Sequence, residues 1–110
     1  MEDVPEGFDV EELKKAEVFK SQGNEFFKNA KYDQASDAYS EAIFCNVPPA
    51  KKAIYYSNRS LVAIKTENYA SALEDAKDAI KQDATFAKAY YRKGSAHLAL
   101  NQMVLAIQSF

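Results

Sequence analysis

An internal repeat limits what this chain can become more than any other feature. Placing Gly23, Ser60 and Gly94 in one column also aligns Phe19, Tyr56 and Tyr90. The same register aligns Tyr32, Tyr69 and Met103, then Ala35, Ala72 and Ala106, then Tyr39, Ala76 and Phe110. The spacing is 37 residues (60 − 23) between the first two copies and 34 (94 − 60) between the second and third. A period in this range marks a stack of small units, each of which buries its apolar face only against its neighbours. The three extra residues of the first interval fall at Pro48-Pro49-Ala50-Lys51, where a loop absorbs an insertion at little cost.

Each copy reads as helical. In the first, Leu13, Ala16, Phe19, Gly23, Phe26 and Phe27 recur at three- and four-residue steps. Asp9 suits an N-cap, with Glu12 as its capping-box acid, so a helix is expected from Val10 to about Asn29. After a break at Asn29-Ala30-Lys31, a second helix spans about Tyr32 to Cys45, and Pro48 and Pro49 end it. A third is expected from about Lys52 to Lys65 and a fourth from about Tyr69 to Gln82. Asp83-Ala84-Thr85 is a turn, and a fifth helix runs from Ala87 to Leu100. Asn101 is read as a turn residue, with Gln102 to Phe110 the start of a sixth helix. No segment alternates with period two, so the fold class is all-α, built of antiparallel helix pairs on short connections. The columns are packing positions. Gly23, Ser60 and Gly94 on one helix and Ala35, Ala72 and Ala106 on the other let each pair approach, and Phe19, Tyr56 and Tyr90 fill the space beside them.

Composition narrows the classes of function. A chain of 110 residues is one domain. It has no apolar run near 18 residues, so no membrane span is expected. The start, MEDVPEGFDVEEL, lacks a secretory core; residues 1–9 are expected to be an acidic disordered leader and 10–110 the folded domain. The one cysteine, Cys45, makes no internal disulfide or multi-cysteine metal site and suits a reducing compartment, cytoplasmic or also nuclear. A net charge of −2 speaks against nucleic acid as partner. His97, the only histidine, sits in a packing column, and there is no paired nucleophile or ligand spacing. Neither catalysis, a cofactor nor a metal is therefore expected of this chain. Val104, Leu105, Ile107 and Phe110 have no following helix here, so an exposed apolar edge that self-associates is expected.

The faces that do not pack carry the chemistry. On the first helix of each copy they bear Lys20 and Asn24, then Asn58, then Lys88 and Arg92. Residues four apart share a helix face, and equivalent positions of stacked units are neighbours. Three cations and two amides would then meet in one concavity, a set suited to carboxylate: lysine offers a point charge, arginine a planar fork, asparagine an uncharged donor. Taken singly, such a residue on a helix face is usually just a solvated surface group. An alternative occupant is the acidic leader of a neighbouring molecule, with six carboxylates between Met1 and Glu12.

The period and the small and aromatic columns resemble tetratricopeptide repeats, here 16–49, 53–86 and an incomplete 87–110. Gln22 and Arg59, in a column usually leucine, and Ala76, in an aromatic column, depart from that pattern. The resemblance implies a superhelix of helix pairs whose first helices line a groove. KSQGN, SNRS and KAYYR resemble the dicarboxylate clamp of chaperone-binding members. That implies docking of the Glu-Glu-Val-Asp tail of heat-shock protein 90 or 70. Lys20, Asn24, Asn58 and Lys88 would hold the terminal aspartate, and Lys88 and Arg92 would reach oxygens further along. Phe27 and Leu61 would shelter the valine, or else serve as ordinary interhelix packing. AIYYSNRSL and AYYRKGSAHLAL are most similar to the serine/threonine phosphatases that carry such repeats, the protein phosphatase 5 family. Membership there implies a regulatory domain that also contacts a phosphatase domain in cis; another cochaperone or a different acidic peptide is the alternative.

Overall fold

The computed structural model describes residues 4–108 and contains five helices: α1 Val10–Lys28, α2 Tyr32–Phe44, α3 Pro49–Lys65, α4 Tyr69–Gln82 and α5 Ala87–Gln108. The first three residues of the expected leader, and Phe110 of the repeat columns and the apolar edge, lie outside the described residues.

Local sequence accounts for most of the helix ends. Asp9 caps α1, its carboxylate accepting from the Glu11 N–H at 3.0 Å. Glu12 does not close a capping box. It accepts from the Asn46 N–H at 3.4 Å and so ties the start of α1 to the chain after α2. The turns after α1 and α3 are the same turn. Ala30 (φ 59°) and Glu67 (φ 61°) stand 37 residues apart (67 − 30) in the left-handed region. Lys31 N–H donates to Phe26 O and Asn68 N–H to Ala63 O, both at 2.8 Å, the closure of a left-handed C-cap. The reading of Pro48 to Lys51 as a loop is corrected. Pro49 is the first residue of α3, where a missing N–H costs nothing, and the N–H groups of Lys51 and Lys52 donate to Pro48 O. The insertion is nearly one added helical turn.

α1 pairs with α2 and α3 with α4; α3 also packs on α2 and α5. Two layers result, α1, α3 and α5 in one, α2 and α4 in the other. The buried apolar residues are mainly alanines, among them Ala16, Ala35, Ala42, Ala53, Ala72, Ala79, Ala89 and Ala96. Small side chains bring the helix axes close, as the column pattern anticipates. A Cβ at Gly23 would lie 2.6 Å from the Tyr39 ring. Ser60 is buried and donates to Ala72 O at 2.7 Å, linking α3 to α4. Arg59, out of place by the leucine pattern, is a bolt. It donates twice to Asp75, at 2.9 and 2.8 Å, and once to Ser40 Oγ at 3.0 Å, joining α2, α3 and α4.

The third copy differs. α5 runs through Asn101, so the expected turn and sixth helix do not form. Among the described residues, no neighbouring element comes within 4 Å of a Cβ built at Gly94. Tyr90 is half-exposed, its hydroxyl donating to Ala84 O at 2.8 Å, and His97 is exposed; neither fills a core. The physical reason lies in the turn. A non-glycine residue in the left-handed region costs roughly 1–2 kcal/mol, offset after α1 and α3 by return helices of 13 and 14 residues. Continuing α5 through Asn101 avoids that cost and keeps every i→i−4 bond. Met103, Val104, Leu105 and Ile107 are consequently exposed, the apolar edge the sequence suggests. The molecule is a slab of 60 × 30 × 17 Å.

Candidate peptide-binding site

The layer of α1, α3 and α5 carries the polar positions that the sequence singles out in the three copies. Ala16 of α1 and Tyr55 of α3 share one buried cluster, and the Tyr55 hydroxyl donates to Glu17 at 2.9 Å. Ala53 of α3 meets Ala89 of α5 in a second cluster, and Ala63 meets Ala96 in a third. α3 is thereby flanked by α1 and α5. Lys20 and Asn24 sit on α1, Asn58 and Leu61 on α3, Lys88 and Arg92 on α5.

Their individual states differ. Lys20 is 2.8 Å from Glu17, one turn earlier in α1. Glu17 also stands 3.3 Å from Lys51 Nζ. Burial pushes its carboxyl upward, but hydrogen bonds from Lys20 and Tyr55 and the charges of Lys20 and Lys51 outweigh this and hold it below the ordinary carboxylate value. Asn24 is exposed, and its Oδ1 accepts from the Tyr39 hydroxyl at 2.6 Å. Asn58 is half-buried and Lys88 exposed. Arg92 is half-buried with its guanidinium carbon 5.7 Å from the Tyr91 ring centroid, and among the described residues its buried Nε has no hydrogen-bond partner. Phe27 meets Tyr32 edge-on, centroids 5.7 Å apart, and packs on the Ala35, Tyr39 and Val62 cluster, so it has a packing role. Leu61 is half-buried.

Among the described residues, no hydrogen bond or ion pair joins Lys20, Asn24, Asn58, Lys88 and Arg92 to one another. What these groups have in common is donors: an α1 ammonium shared with Glu17, an α5 ammonium, a guanidinium with one buried N–H unmet among the described residues, and two amides. A bound carboxylate would satisfy such a set. Two concavities lie elsewhere. One of about 520 Å³ runs between α2, α3 and α4 beside Arg59 and Asp75, and one of about 730 Å³ lies beside Val10, Leu13 and Tyr55. Reading from sequence missed Glu17 as the partner of Lys20, although the three-residue spacing was its signal. It also missed Tyr39 behind Asn24, for which only a column of packing aromatics was visible.

Comparison with known proteins agrees with this architecture. The model of the tetratricopeptide repeat family matches residues 58–110. Human serine/threonine-protein phosphatase 5 is 42% identical over 98 residues, which are 89% of this chain and 19% of that protein. The chain thus spans about a fifth of that relative. Among solved structures, the first repeat domain of Spaghetti (RPAP3) bound to the HSP90 peptide SRMEEVD superposes with a TM-score of 0.75 at 32% identity, covering 84% of this chain and 73% of that one. The TPR2B domain of yeast Sti1 in complex with an Hsp70 peptide gives 0.74 at 33% identity, covering 86% and 74%.

Proposed function

The chain belongs to the tetratricopeptide repeat family, a non-catalytic helical scaffold, and from that premise we propose that it binds the acidic C-terminal tail of heat-shock protein 90 or 70 through a carboxylate clamp. The observation that carries this is the placement of five donor-bearing side chains on three neighbouring first helices, with Arg92 Nε buried and unmet. Lys20, Asn24, Asn58 and Lys88 hold the terminal aspartate; Lys88 and Arg92 reach oxygens further along the tail; Phe27 and Leu61 lie beside its valine. The complexes of Spaghetti and Sti1 with chaperone peptides support the choice of ligand.

Similarity to phosphatase 5 supports a further step. This domain, residues 10–110, is a targeting and regulatory module in a serine/threonine phosphatase of the cytoplasm, contacting the phosphatase domain in cis. Among the described residues no helix is long and apolar enough to cross a membrane.

Calorimetric titration with Met-Glu-Glu-Val-Asp, as free acid and as C-terminal amide, tests the clamp. A micromolar complex is worth about 8 kcal/mol, and truncating one member of a desolvated charge pair costs roughly 2–5 kcal/mol. The free acid alone is expected to bind, and Arg92→Ala to weaken it at least about 30-fold. Equal binding of the amide would refute the reading.

A further inference from the structure

Tyr39 connects the rear layer of helices to the proposed site. It lies on α2, 3% exposed, and its hydroxyl donates to Oδ1 of exposed Asn24 at 2.6 Å. Its ring reaches Asn24 by crossing α1 at Gly23, where a Cβ would lie 2.6 Å from the ring. In the second copy the positions of Gly23, Asn24 and Tyr39 are held by Ser60, Leu61 and Ala76. The phenol and the amide are thus present together in the first copy and absent together in the second, as a matched polar pair would be.

An asparagine amide has two ends, a carbonyl that accepts and an NH2 that donates. Turned one way it attracts a carboxylate; turned the other it repels one. Burial raises the pKa of the Tyr39 phenol, so its proton stays on at neutral pH. Among the described residues Asn24 Oδ1 is the acceptor of that proton. Were the amide reversed, the phenol would accept from Nδ2 and its own buried proton would lack an acceptor.

We propose that Tyr39 is a positioning residue for the peptide site: by engaging Oδ1 it fixes Asn24 with Nδ2 turned outward to donate to a ligand carboxylate. This rests on the reading of Asn24 as a peptide-binding group. Asn24 then recognises anionic chain ends without itself adding charge, and its orientation is set before the ligand arrives. Gly23 belongs to the same device, because any side chain there displaces the ring.

A double-mutant cycle with the free-acid pentapeptide tests it, using wild type, Tyr39→Phe, Asn24→Ala and the double variant. Tyr39→Phe keeps the ring over Gly23 and removes only the hydroxyl. It is expected to weaken binding about three- to tenfold. No further loss is expected in the Asn24→Ala background, because the hydroxyl acts only through that amide. Tyr39→Phe binding as tightly as wild type, or an equal loss in both backgrounds, would overturn the positioning role while weak binding by Asn24→Ala left the clamp standing. Undiminished binding by Asn24→Ala would remove the site reading and the role of Tyr39 together. A measurement on the wild-type protein needs no variant. The Asn24 side-chain NH2 protons should show NMR contacts to the bound peptide and not to the Tyr39 ring. Strong contacts to that ring in the free protein would mean the opposite orientation and overturn the proposal.

Discussion

Gly23 and Gly94 occupy the same column of the repeat, and the fold treats them in opposite ways. At Gly23 the returning helix α2 brings Tyr39 so near that a methyl group would meet its ring at 2.6 Å. At Gly94, among the described residues, no second helix packs beside the glycine and the space there is open. The residue type is shared; the requirement for it is not. Small residues in a repeat mark places where two helices can approach, and they constrain structure only where the second helix is present.

The sharpest way to test that contrast is one methyl group added at each site. Gly23→Ala is expected to lower stability by about 3 kcal/mol, since a buried ring has to move. Gly94→Ala is expected to raise it by about 1 kcal/mol, because alanine is the better helix former and meets nothing. Urea unfolding of the two variants reads both signs, and equal effects would mean that α5 is not the free helix described here.

The bolt between the first two copies comes next. Asp75, 7% exposed, takes two hydrogen bonds from Arg59. Asp75→Ala leaves a half-buried guanidinium unpaired and is expected to cost about 2 kcal/mol, below the range for fully buried pairs because Arg59 is partly solvated. No equivalent substitution in the described part of α5 beyond Asn101 should cost as much in the same denaturation experiment.

Smaller effects separate the turns. Glycine at Ala30 or Glu67 relieves a left-handed residue and is expected to stabilise by about 0.5 kcal/mol. Glycine at Asn101, inside a continuous helix, should destabilise by a few tenths, at most about 0.5 kcal/mol. Stabilisation by Asn101→Gly in a thermal melt would indicate that the chain turns there after all.

The smallest expected effect depends on pH. The Glu17 carboxyl is held below its ordinary value of 4.5 by Lys20, Tyr55 and Lys51 against the upward push of burial. Its contribution is therefore complete above that ordinary value and fades as pH falls through the lower, folded-state value. Exposure of the carboxylate limits it to about 0.2 kcal/mol. Unfolding curves of wild type and Glu17→Gln should differ near neutrality and converge in acid; a gap that widens in acid would reverse the assignment.

The same contrast explains how far the sequence could be read. Helix type, period and the boundaries of α1, α2 and α4 follow from local spacing, and the close approaches at Gly23 and Ser60 follow from columns of small residues. Asn101 misled because a turn-forming residue yields a turn only when a returning helix repays its cost. Pro48-Pro49 misled because proline both ends one helix and begins the next. Arg59–Asp75 and Tyr39–Asn24 join residues 16 and 15 apart on different helices, a distance that periodicity does not reach. In the candidate site, the positions of Lys20, Asn24, Asn58, Lys88 and Arg92 were legible as faces, but their existing partners were not. Glu17 already neutralises Lys20, and Tyr39 already holds Asn24.

The central claim is that groups on three separate helices act on one acidic chain end. The most direct measurement follows the Asn24 and Asn58 side-chain amides and the Arg92 Nε–H by ¹H–¹⁵N NMR while Met-Glu-Glu-Val-Asp is added as free acid. All three signals should move together and saturate at one peptide concentration, and the C-terminal amide should leave them in place. Shifts confined to a single helix, or clustered around the α2–α3–α4 cavity beside Arg59 and Asp75, would contradict the clamp.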